Sequence, residues 1–410
     1  MPGKTITKTW AHNPSIYAPA KYKRACKYDA FLPVKLADLP ISLDGAAMGV
    51  VSEAENAIRD LNAAGGVALD PLSRLLLRTE SIASSKVEGM QLGVRELARA
   101  EARVDEGGRA SATAMEVLAN IDAMMLAVTD AATVETFGTD QILAIHRRLL
   151  ERERPKIAGS IRTEQNWIGG NDHNPCGADF VPPPPEDVDA LLTDLCDSIN
   201  SDLLPPLIQA ALVHAQFETI HPFADGNGRA GRALIHVVLR RRGVAPRFVP
   251  PISVVFAAAK SRYIAGLGDF RGSGVQAWVE YFADATARSA RLATDYVAAT
   301  RALRSSWRDQ LAALPDAPRA DAAAWALIDV LPAHPVITAL TAAQATSRAT
   351  GRIYEALDDL ERAGVLIPLA KPQTQSGAGD SSSRRKLSWE AAGLLELIAS
   401  LEAAQPPTQP

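Results

Sequence analysis

The segment that decides the fold of this chain is residues 221–232, which read His221-Pro222-Phe223-Ala224-Asp225-Gly226-Asn227-Gly228-Arg229-Ala230-Gly231-Arg232. It combines an imidazole, a carboxylate, a Gly-Asn-Gly turn and two guanidinium groups. Glycines on both sides of an asparagine let backbone N–H groups turn toward an anion without a Cβ in the way. If Gly228 opens the next helix, these amides lie at its positive end, which is a natural site for phosphate. The segment therefore predicts a phosphate-binding loop between two helices.

The side chains of this segment suit chemistry on a nucleotide triphosphate. Arg229 and Arg232 are three residues apart, so on a helix they share a face and can bind one polyphosphate. Asp225 is the hard oxygen ligand that Mg²⁺ prefers alongside substrate phosphates. His221 is the one side chain here that ordinarily titrates near neutral pH, which suits a general base. We therefore predict a magnesium-nucleotide site at which His221 deprotonates an attacking hydroxyl.

Two alternative interpretations of the segment were weighed. A Gly-Asn-Gly turn is common between helices, and arginines after a turn are usually only solvated, but here many chemically meaningful positions occur in order. His214, His221 and His236 lie in one region, yet no His-Glu-x-x-His or Cys-x-x-Cys spacing supports a zinc site. We expect His214 and His236 to be ordinary helix residues.

The segment resembles the signature of the Fic family, His-x-Phe-x-Asp/Glu-Gly-Asn-Gly-Arg-x-x-Arg, at every fixed position. Fic proteins are helical enzymes that mostly transfer AMP from ATP to a protein hydroxyl. The resemblance implies that His221 takes the proton from a target Tyr, Thr or Ser and that Asp225 holds Mg²⁺. It also implies that Arg229 and Arg232 bind the outer phosphates. The remaining ATP-binding residues would come from the same loop: Pro222, Phe223, Ala224, Gly226, Asn227 and Gly228.

A second segment, Ser84-Ser85-Lys86-Val87-Glu88-Gly89, resembles the Ser/Thr-x-x-x-Glu-Gly/Asn inhibitory motif of the same family. Its position before the catalytic segment is similar to the subclass with an N-terminal inhibitory helix. The resemblance implies that Glu88 pairs with Arg232 and blocks seating of the γ-phosphate. A carboxylate and a phosphate compete for one planar donor fork. A charge-assisted bond of about 1.5–3 kcal/mol corresponds to roughly ten- to hundredfold suppression.

Residues 159–185 resemble the flap of Fic enzymes. They read as a strand, a Gly/Asn-rich turn and a returning strand closed by prolines. The implied role is to dock the target by adding a strand, and the docking residues are Asn166, Trp167, Ile168 and Gly169. An ordinary surface hairpin would explain the glycines and prolines but not the Asn166-Trp167 pair.

The predicted helix 257–270 contains Tyr263, which we place near the nucleotide base. Most such tyrosines are merely packed, so a structural role is the alternative. The run Ala257-Ala258-Ala259 stands where many relatives carry a polar residue, which leaves the adenosine contacts open.

Composition limits the class and setting of the protein. The net charge of −4 argues against a dominant surface for nucleic acid. Cys26, Cys176 and Cys196 form no motif and cannot all pair, so a reduced, cytoplasmic setting is expected. We see no secretory signal and no uninterrupted apolar run that could span a bilayer. Abundant alanine and 5% aromatic residues favour a mainly α protein.

The predicted fold is a Fic helical core with a β-hairpin flap, followed by a winged helix-turn-helix domain. Further helices are expected at 45–60, from Asp70-Pro71 to the inhibitory segment, where Gly89 ends the helix, and at 93–106, 111–128, 139–152 (capped by Thr139 or Asp140), 186–201, 205–220, 228–242 and 274–312. The predicted domains are an irregular extension 1–40, a helical region 41–130 that carries the inhibitory helix, a catalytic core 131–312, a winged helix 319–400, and a disordered tail 401–410.

The winged-helix interpretation rests on three helices (321–330, 341–346 and 348–363) and two strands (365–370 and 386–389) around a Gly/Ser-rich loop, 373–383. From Arg348 to Glu390, seven basic residues are opposed by six acidic ones, which is not the charge pattern of a strong DNA binder. A role in protein docking or dimerisation is therefore preferred to DNA binding. Self-association could regulate the inhibitory helix, so a homodimer stays open.

The leading hypothesis is a self-inhibited protein adenylyltransferase that uses Mg-ATP as co-substrate and modifies target proteins and itself. The first alternative is a hydrolase that removes AMP from proteins, with Glu88 orienting a water. The second is a transcription regulator in which the core senses nucleotide and the winged helix reads DNA.

Overall fold

The computed structural model describes residues 2–63, 70–369 and 388–405, which are mainly α-helical, as predicted. The helices are α1 (Ala20–Lys23), α2 (Gly45–Ala63), α3 (Asp70–Val87), α4 (Val94–Asp105), α5 (Ala112–Leu126), α6 (Thr139–Leu150), α7 (Val188–Asn200), α8 (Pro206–Ile220), α9 (Asn227–Arg241), α10 (Ile252–Ala258), α11 (Lys260–Arg271), α12 (Val275–Ala312), α13 (Ala323–Val330), α14 (Ala339–Thr346), α15 (Thr350–Arg362) and α16 (Leu394–Glu402). The strands are β1 (Gly3–Trp10), β2 (Cys26–Pro33), β3 (Val336–Thr338), β4 (Leu366–Leu369) and β5 (Ser388–Ala391).

The N-terminal region is regular, so the predicted irregular extension is wrong. β1 and β2 pair antiparallel over their whole length, from Gly3 opposite Pro33 to Trp10 opposite Cys26. The alternating threonines of β1 favour a strand, but its lysines and its polar composition led to the prediction of an irregular segment.

A disulfide joins Cys26 at the start of β2 to Cys176. The expectation of three reduced thiols is therefore wrong for this pair. Cys196 is a free, buried cysteine in α7. Burial raises the pKa of its thiol to about 11, which keeps it protonated at neutral pH.

Several other expectations need correction. The N-cap of α6 is Gly138, whose N–H donates to Gln141 Oε1 at 2.8 Å, rather than Thr139 or Asp140. The helix expected at 257–270 is divided between α10 and α11. Instead of two flap strands, the structure has a single antiparallel bridge between Ile168 and Phe180. Between these two residues, hydrogen bonds of the Asn171 side chain to the backbone of His173, Asn174 and Cys176 stabilise the turn.

By length and mean hydropathy, one helical stretch in the described part of the chain, Ala112–Ala131, could cross a membrane. Half of that window is buried inside the protein, and core helices often pass the same test. It also carries Glu116, Asp122 and Asp130, so it is not an uninterrupted apolar run.

The chain divides into two compact units built from discontinuous segments. Unit 1 consists of Met1–Arg59, Ala119–Pro246 and Val255–Arg288, and unit 2 of Asp60–Leu118, Arg247–Val254 and Ser289–Pro410. The domain boundaries expected from the sequence stay predictions.

Unit 1 is organised around α8, which is buried along its whole length. Its apolar residues are spread around the whole circumference, as is typical of a helix in an interior. α9 packs closely on it at Gly231, where an added Cβ would lie 2.5 Å from Glu218 Oε1. On the opposing helix α12, Trp278 donates its indole N–H to the Ala211 carbonyl at 2.9 Å. The loop between α8 and α9 therefore starts and ends on fixed elements.

Unit 2 has a continuous hydrophobic core to which α3, α4 and the C-terminal elements all contribute. Leu72, Leu75 and Leu76 of α3 belong to the same cluster as Ile398 and Leu401 of α16. β3, β4 and β5 form an antiparallel sheet in the order β3-β5-β4. The three predicted C-terminal helices correspond to α13, α14 and α15, while the predicted loop 373–383 lies outside the described residues. The winged-helix interpretation stays a prediction.

Candidate active site

His221 occupies the turn that ends α8. Its backbone is left-handed, with φ 50° and ψ 59°, and its N–H closes the helix on the Phe217 carbonyl at 2.9 Å. The half-buried ring places Nδ1 3.4 Å from the Glu218 carbonyl. Because a carbonyl can only accept, this contact favours a proton on Nδ1 and a lone pair on Nε2. That is the tautomer a general base at Nε2 requires.

The loop from Phe223 to Asn227 is closed by the side chain of Asn227. Its Oδ1 accepts the Phe223 N–H and its Nδ2 donates to the Phe223 carbonyl, both at 2.8 Å. Gly226 has φ +79°, a left-handed conformation that favours glycine. α9 starts at Asn227, one residue before the predicted Gly228, and its first-turn N–H groups lie at the positive end of the helix. The structure thus contains the predicted turn into a helix N-terminus.

His146 of α6 supports this loop and was missed by the sequence reasoning. Its Nδ1 accepts the Gly159 N–H at 3.0 Å, so its Nε2 carries the proton and donates to the Asp225 carbonyl at 2.9 Å. Its ring stacks parallel on Phe223 with the centroids 3.6 Å apart. Burial lowers the pKa of His146 to about 4, so the imidazole is neutral at physiological pH. No local spacing links His146 to a loop so far along the chain.

Arg162 and Asn166 hold the other side of the loop. The buried Arg162 guanidinium donates to the carbonyls of His221 at 2.9 Å and Pro183 at 2.6 Å. Burial lowers the pKa of Arg162 to about 10, which still leaves it charged at neutral pH. Asn166 Nδ2 donates to the carbonyls of His221 at 3.2 Å and Phe223 at 3.0 Å. A side chain predicted to face the target thus supports the predicted catalytic loop, residues 221–227.

Asp225, the predicted metal ligand, is partly exposed at the loop surface. Its Oδ1 accepts the Gly226 N–H at 2.8 Å, and its Oδ2 lies 2.9 Å from Arg154 Nη1 in an exposed ion pair. Among the described residues, no cluster of three or more His, Cys, Asp or Glu side chains could hold a metal by itself. One carboxylate fits the hydrated Mg²⁺ that nucleotide sites bind, because phosphates and water supply the other ligands.

The two arginines of the motif are both buried on α9, with 3% of Arg229 and 1% of Arg232 exposed. Buried guanidinium groups are expensive unless they meet anions or other acceptors. Their burial within the N-terminal half of α9 agrees with a structural environment built for a negatively charged group. Their assignment to the outer phosphates stays a prediction.

The predicted inhibitory segment lies at the C-terminal end of α3. Ser84 is buried, whereas Glu88 is exposed in the turn that follows the last helical residue. Gly89 has φ +88° and its N–H donates to the Lys86 carbonyl at 2.9 Å, as predicted for a helix terminator. The pairing of Glu88 with Arg232 stays a prediction.

Tyr263 belongs to an aromatic cluster in the core of unit 1. Only 3% of the residue is exposed, and its hydroxyl lies 2.9 Å from His214 Nε2. Its ring stacks on Phe256 with the centroids 4.5 Å apart. This environment favours the structural alternative over contact with a nucleotide base, and it places His214 in the core, as expected.

An open cleft of about 770 Å³ lies beside the catalytic loop. Its lining includes Ala224 of the loop, Asn166 and Trp167 of the predicted flap, and Trp10 of β1. The two indole rings meet edge to face with the centroids 5.7 Å apart. Ile168 is 37% exposed, and Gly169 has φ +74°. The structure therefore brings the predicted flap and the catalytic loop to one concave surface.

Comparisons with known proteins agree with this site. Residues 136–239 match the Fic/DOC family, and residues 48–129 match the Fic/DOC family N-terminal model. The protein adenylyltransferase fic-1 of Caenorhabditis briggsae is 36% identical over 135 residues, 32% of this chain and 25% of that protein. The protein adenylyltransferase Fic of Drosophila willistoni is 33% identical over 151 residues, 36% of this chain and 27% of that protein. The match thus spans about a quarter of these relatives.

One solved structure shares the fold over most of the chain. A Fic family protein from Desulfovibrio desulfuricans superposes with a TM-score of 0.50 and 21% identity, covering 86% of this chain and 98% of that one. The segment 221–232 and the two matched models agree with one another: residues 136–239 form a Fic/DOC domain, preceded by a Fic/DOC N-terminal region at residues 48–129. The solved structure supports the fold.

Proposed function

We propose that this protein is a protein adenylyltransferase that transfers AMP from ATP to a Tyr, Thr or Ser hydroxyl of target proteins. The observation that carries the proposal is the closed loop between α8 and α9. It joins the imidazole of His221 directly to a helix N-terminus, with Asn227, His146, Arg162 and Asn166 holding the backbone. The relatives named as adenylyltransferases support the same chemistry.

In the proposed reaction, His221 Nε2 accepts the proton of the target hydroxyl. The hydroxyl oxygen forms a bond to the α-phosphorus, the bond from that phosphorus to the bridging oxygen breaks, and pyrophosphate leaves with the electron pair. The first-turn amides of α9 and the guanidinium groups of Arg229 and Arg232 stabilise the phosphate charge. The protein contributes mainly position and electrostatics, as in phosphoryl transfer generally.

Asp225 would hold Mg²⁺, which neutralises charge on the phosphates when it is bound. Its carboxylate is available for this only when Arg154 releases Oδ2, because the two groups form an ion pair in the structure. An exposed pair of this kind is weak, worth about 0.2–1 kcal/mol. Replacing Arg154 by a divalent cation at Asp225 therefore costs little free energy.

Self-inhibition through Glu88 is the second part of the proposal. The segment Ser84–Gly89 stands in the order the family motif requires, and the exposed residue Glu88 directly follows the last residue of α3. In the proposed inhibited state, Glu88 accepts from the Arg232 guanidinium and excludes the γ-phosphate from it. Cytoplasmic location and homodimer formation stay predictions.

The test uses the full chain with the substitution Glu88→Gly, which should release inhibition. ATP labelled at the α-phosphate should label protein, whereas ATP labelled at the γ-phosphate should not. Adding His221→Ala should abolish labelling while leaving nucleotide binding intact, measured by calorimetry. Incorporation of the γ-label would instead indicate a kinase. Removal of AMP from a pre-labelled target that depends on Glu88 would favour a hydrolase.

A further inference from the structure

The N-terminal hairpin β1–β2 lies outside both segments that match the family models, which begin at residue 48. Nevertheless Trp10, the last residue of β1, lines the cleft beside the catalytic loop. Its indole packs edge to face against Trp167 and also against Tyr28 of β2, with a centroid distance of 6.4 Å. This wall of the cleft is therefore contributed by a segment outside the two matched ranges.

The hairpin is attached to the flap by several independent contacts. Trp10 pairs in register with Cys26, and Cys26 is bonded to Cys176 in the turn between Ile168 and Phe180. Asn174 Nδ2 donates to the Tyr22 carbonyl at 2.9 Å. These contacts position the indole of Trp10 relative to Trp167, because Cys26, the direct partner of Trp10 across the hairpin, is covalently bonded to the flap segment.

The lining of the cleft combines polar side chains with four half-buried apolar ones, which are Trp10, Ile157, Ile161 and Trp167. Ala224, three residues after His221, also lines it. The volume of about 770 Å³ lies within the range of about 300–1,000 Å³ typical of ligand pockets. A hydroxyl presented to His221 would bring neighbouring residues of its own chain near these apolar side chains.

We propose that Trp10 is a specificity-determining residue that selects acceptor segments with an aromatic or large aliphatic side chain beside the modified hydroxyl. The occupant is an extended segment of the target protein, and the hairpin and its disulfide hold the aromatic wall against which the flanking side chain packs. This inference rests on the proposed AMP transfer. Aromatic pairs of this kind change affinity by about two- to tenfold.

The test measures AMP transfer to two synthetic peptides, using the full chain in the Glu88→Gly background. The peptides are identical except that the residues flanking one tyrosine are leucine in the first and serine in the second. We expect a lower KM for the leucine peptide. Trp10→Ala should remove this preference by raising that KM about two- to tenfold, with kcat and the KM for ATP unchanged. Trp10→Phe should restore most of the preference.

Matched controls separate this role from general damage. Tyr17 is fully exposed on the segment between β1 and β2, so Tyr17→Ala should leave the preference intact. The double substitution Cys26→Ser with Cys176→Ser should weaken the preference, whereas Cys196→Ser should not. Equal KM values for the two peptides, or an unchanged preference in Trp10→Ala, would overturn the proposal. Absence of transfer to either peptide and of any self-labelling would instead contradict the adenylyltransferase itself.

A separate observation concerns regulation of the same site. Lys86, inside the predicted inhibitory segment, forms an ion pair of 2.5 Å with Glu402 at the end of α16. The Glu402 side chain is only 3% exposed, and the adjoining faces of α3 and α16 share the core of unit 2. The predicted inhibitory helix, α3, therefore packs against the C-terminal helix α16.

We infer that the C-terminal helix α16 sets the strength of self-inhibition by fixing the end of α3. This inference rests on the proposed role of Glu88. Glu402→Gln breaks the ion pair and should raise AMP transfer about fivefold or more, the usual scale of coupling between sites. In the Glu88→Gly background the same substitution should have no further effect, because the inhibitory carboxylate of Glu88 is already absent.

Arg95→Gln is the control, since it removes the ion pairs of α4 with the buried Glu390 and the exposed Glu396 and leaves Lys86 paired. It should not raise transfer. If Glu402→Gln does not fold, Lys86→Gln breaks the same pair from its exposed side. Unchanged transfer, or an equal rise in both Glu88 backgrounds, would overturn the inference. Failure of Glu88→Gly alone to raise transfer would contradict self-inhibition rather than the coupling.

Discussion

Substituting Gly226 with alanine tests whether the conformation of the catalytic loop is required for nucleotide binding. Gly226 has φ +79°, and a left-handed conformation costs an alanine roughly 1–2 kcal/mol. A Cβ there would also lie 3.2 Å from Leu149 Cδ2 and 3.4 Å from the His146 ring. The methyl group of Leu149 can move, but the ring of His146 is held by two hydrogen bonds and by Phe223. Overpacking of this kind costs about 1–3 kcal/mol.

Gly243 is the matched control, because it has φ +67° with nothing within 4 Å of an added Cβ. Gly243→Ala therefore carries the backbone cost alone, roughly 1–2 kcal/mol. We expect Gly226→Ala to lower the free energy of unfolding by more than the control does, measured in urea. Calorimetry should show at least about tenfold weaker binding of a non-hydrolysable ATP analogue, equivalent to about 1.4 kcal/mol, in Gly226→Ala only. Equal stability losses with normal nucleotide binding in both variants would refute the loop as the anion site.

Three further predictions concern the groups around this loop. Glu88→Gly should raise incorporation of α-labelled AMP by roughly ten- to hundredfold, and an unchanged rate would mean that the inhibitory-motif match is accidental. Burial lowers the pKa of His146 from 6.5 to about 4, so its neutral form stabilises the fold above pH 6.5 and this stability is lost as the pH falls through 4. His146→Gln should therefore show a shallower decline in unfolding free energy over that window, and a slope like that of the unsubstituted protein would contradict the burial argument. Arg154→Ala should lower the Mg²⁺ concentration for half-maximal transfer up to about fivefold by releasing Asp225, whereas Arg152→Ala, two residues before it, should not.

The parts of the site that are local in sequence were predictable. The Gly-Asn-Gly turn leads into α9 as expected, since the closing bonds of Asn227 reach only to Phe223, four residues away. The end of α3 at Val87 followed from Gly89 for the same reason. Short-range geometry of this kind is specified by residue type and spacing.

The support of the loop could not be predicted, because it comes from distant segments. His146 lies 79 residues before Asp225, and Arg162 lies 59 residues before His221. Neither side chain has a neighbour in the sequence that indicates its partner. Similarly, the pairing of Cys26 with Cys176 spans 150 residues. The odd count of cysteines led to the expectation of reduced thiols, because it does not indicate which two could pair.

The position of α3, the predicted inhibitory helix, shows that elements far apart in the sequence can pack against each other. The sequence places Ser84–Gly89 in an N-terminal region ahead of the catalytic core, far from the C-terminal elements. In the structure, Leu75 and Leu76 of α3 share one core with Leu401 of α16, and Lys86 meets Glu402. Burial disfavours the charged carboxylate of Glu402 and raises its pKa, although the charged form is the one that pairs with Lys86. Stability from this group is therefore greatest at low pH and declines as the pH rises through the raised pKa. Because desolvation offsets most of the attraction, this ion pair adds little net stability. We therefore expect its loss to change the degree of inhibition more than the melting temperature.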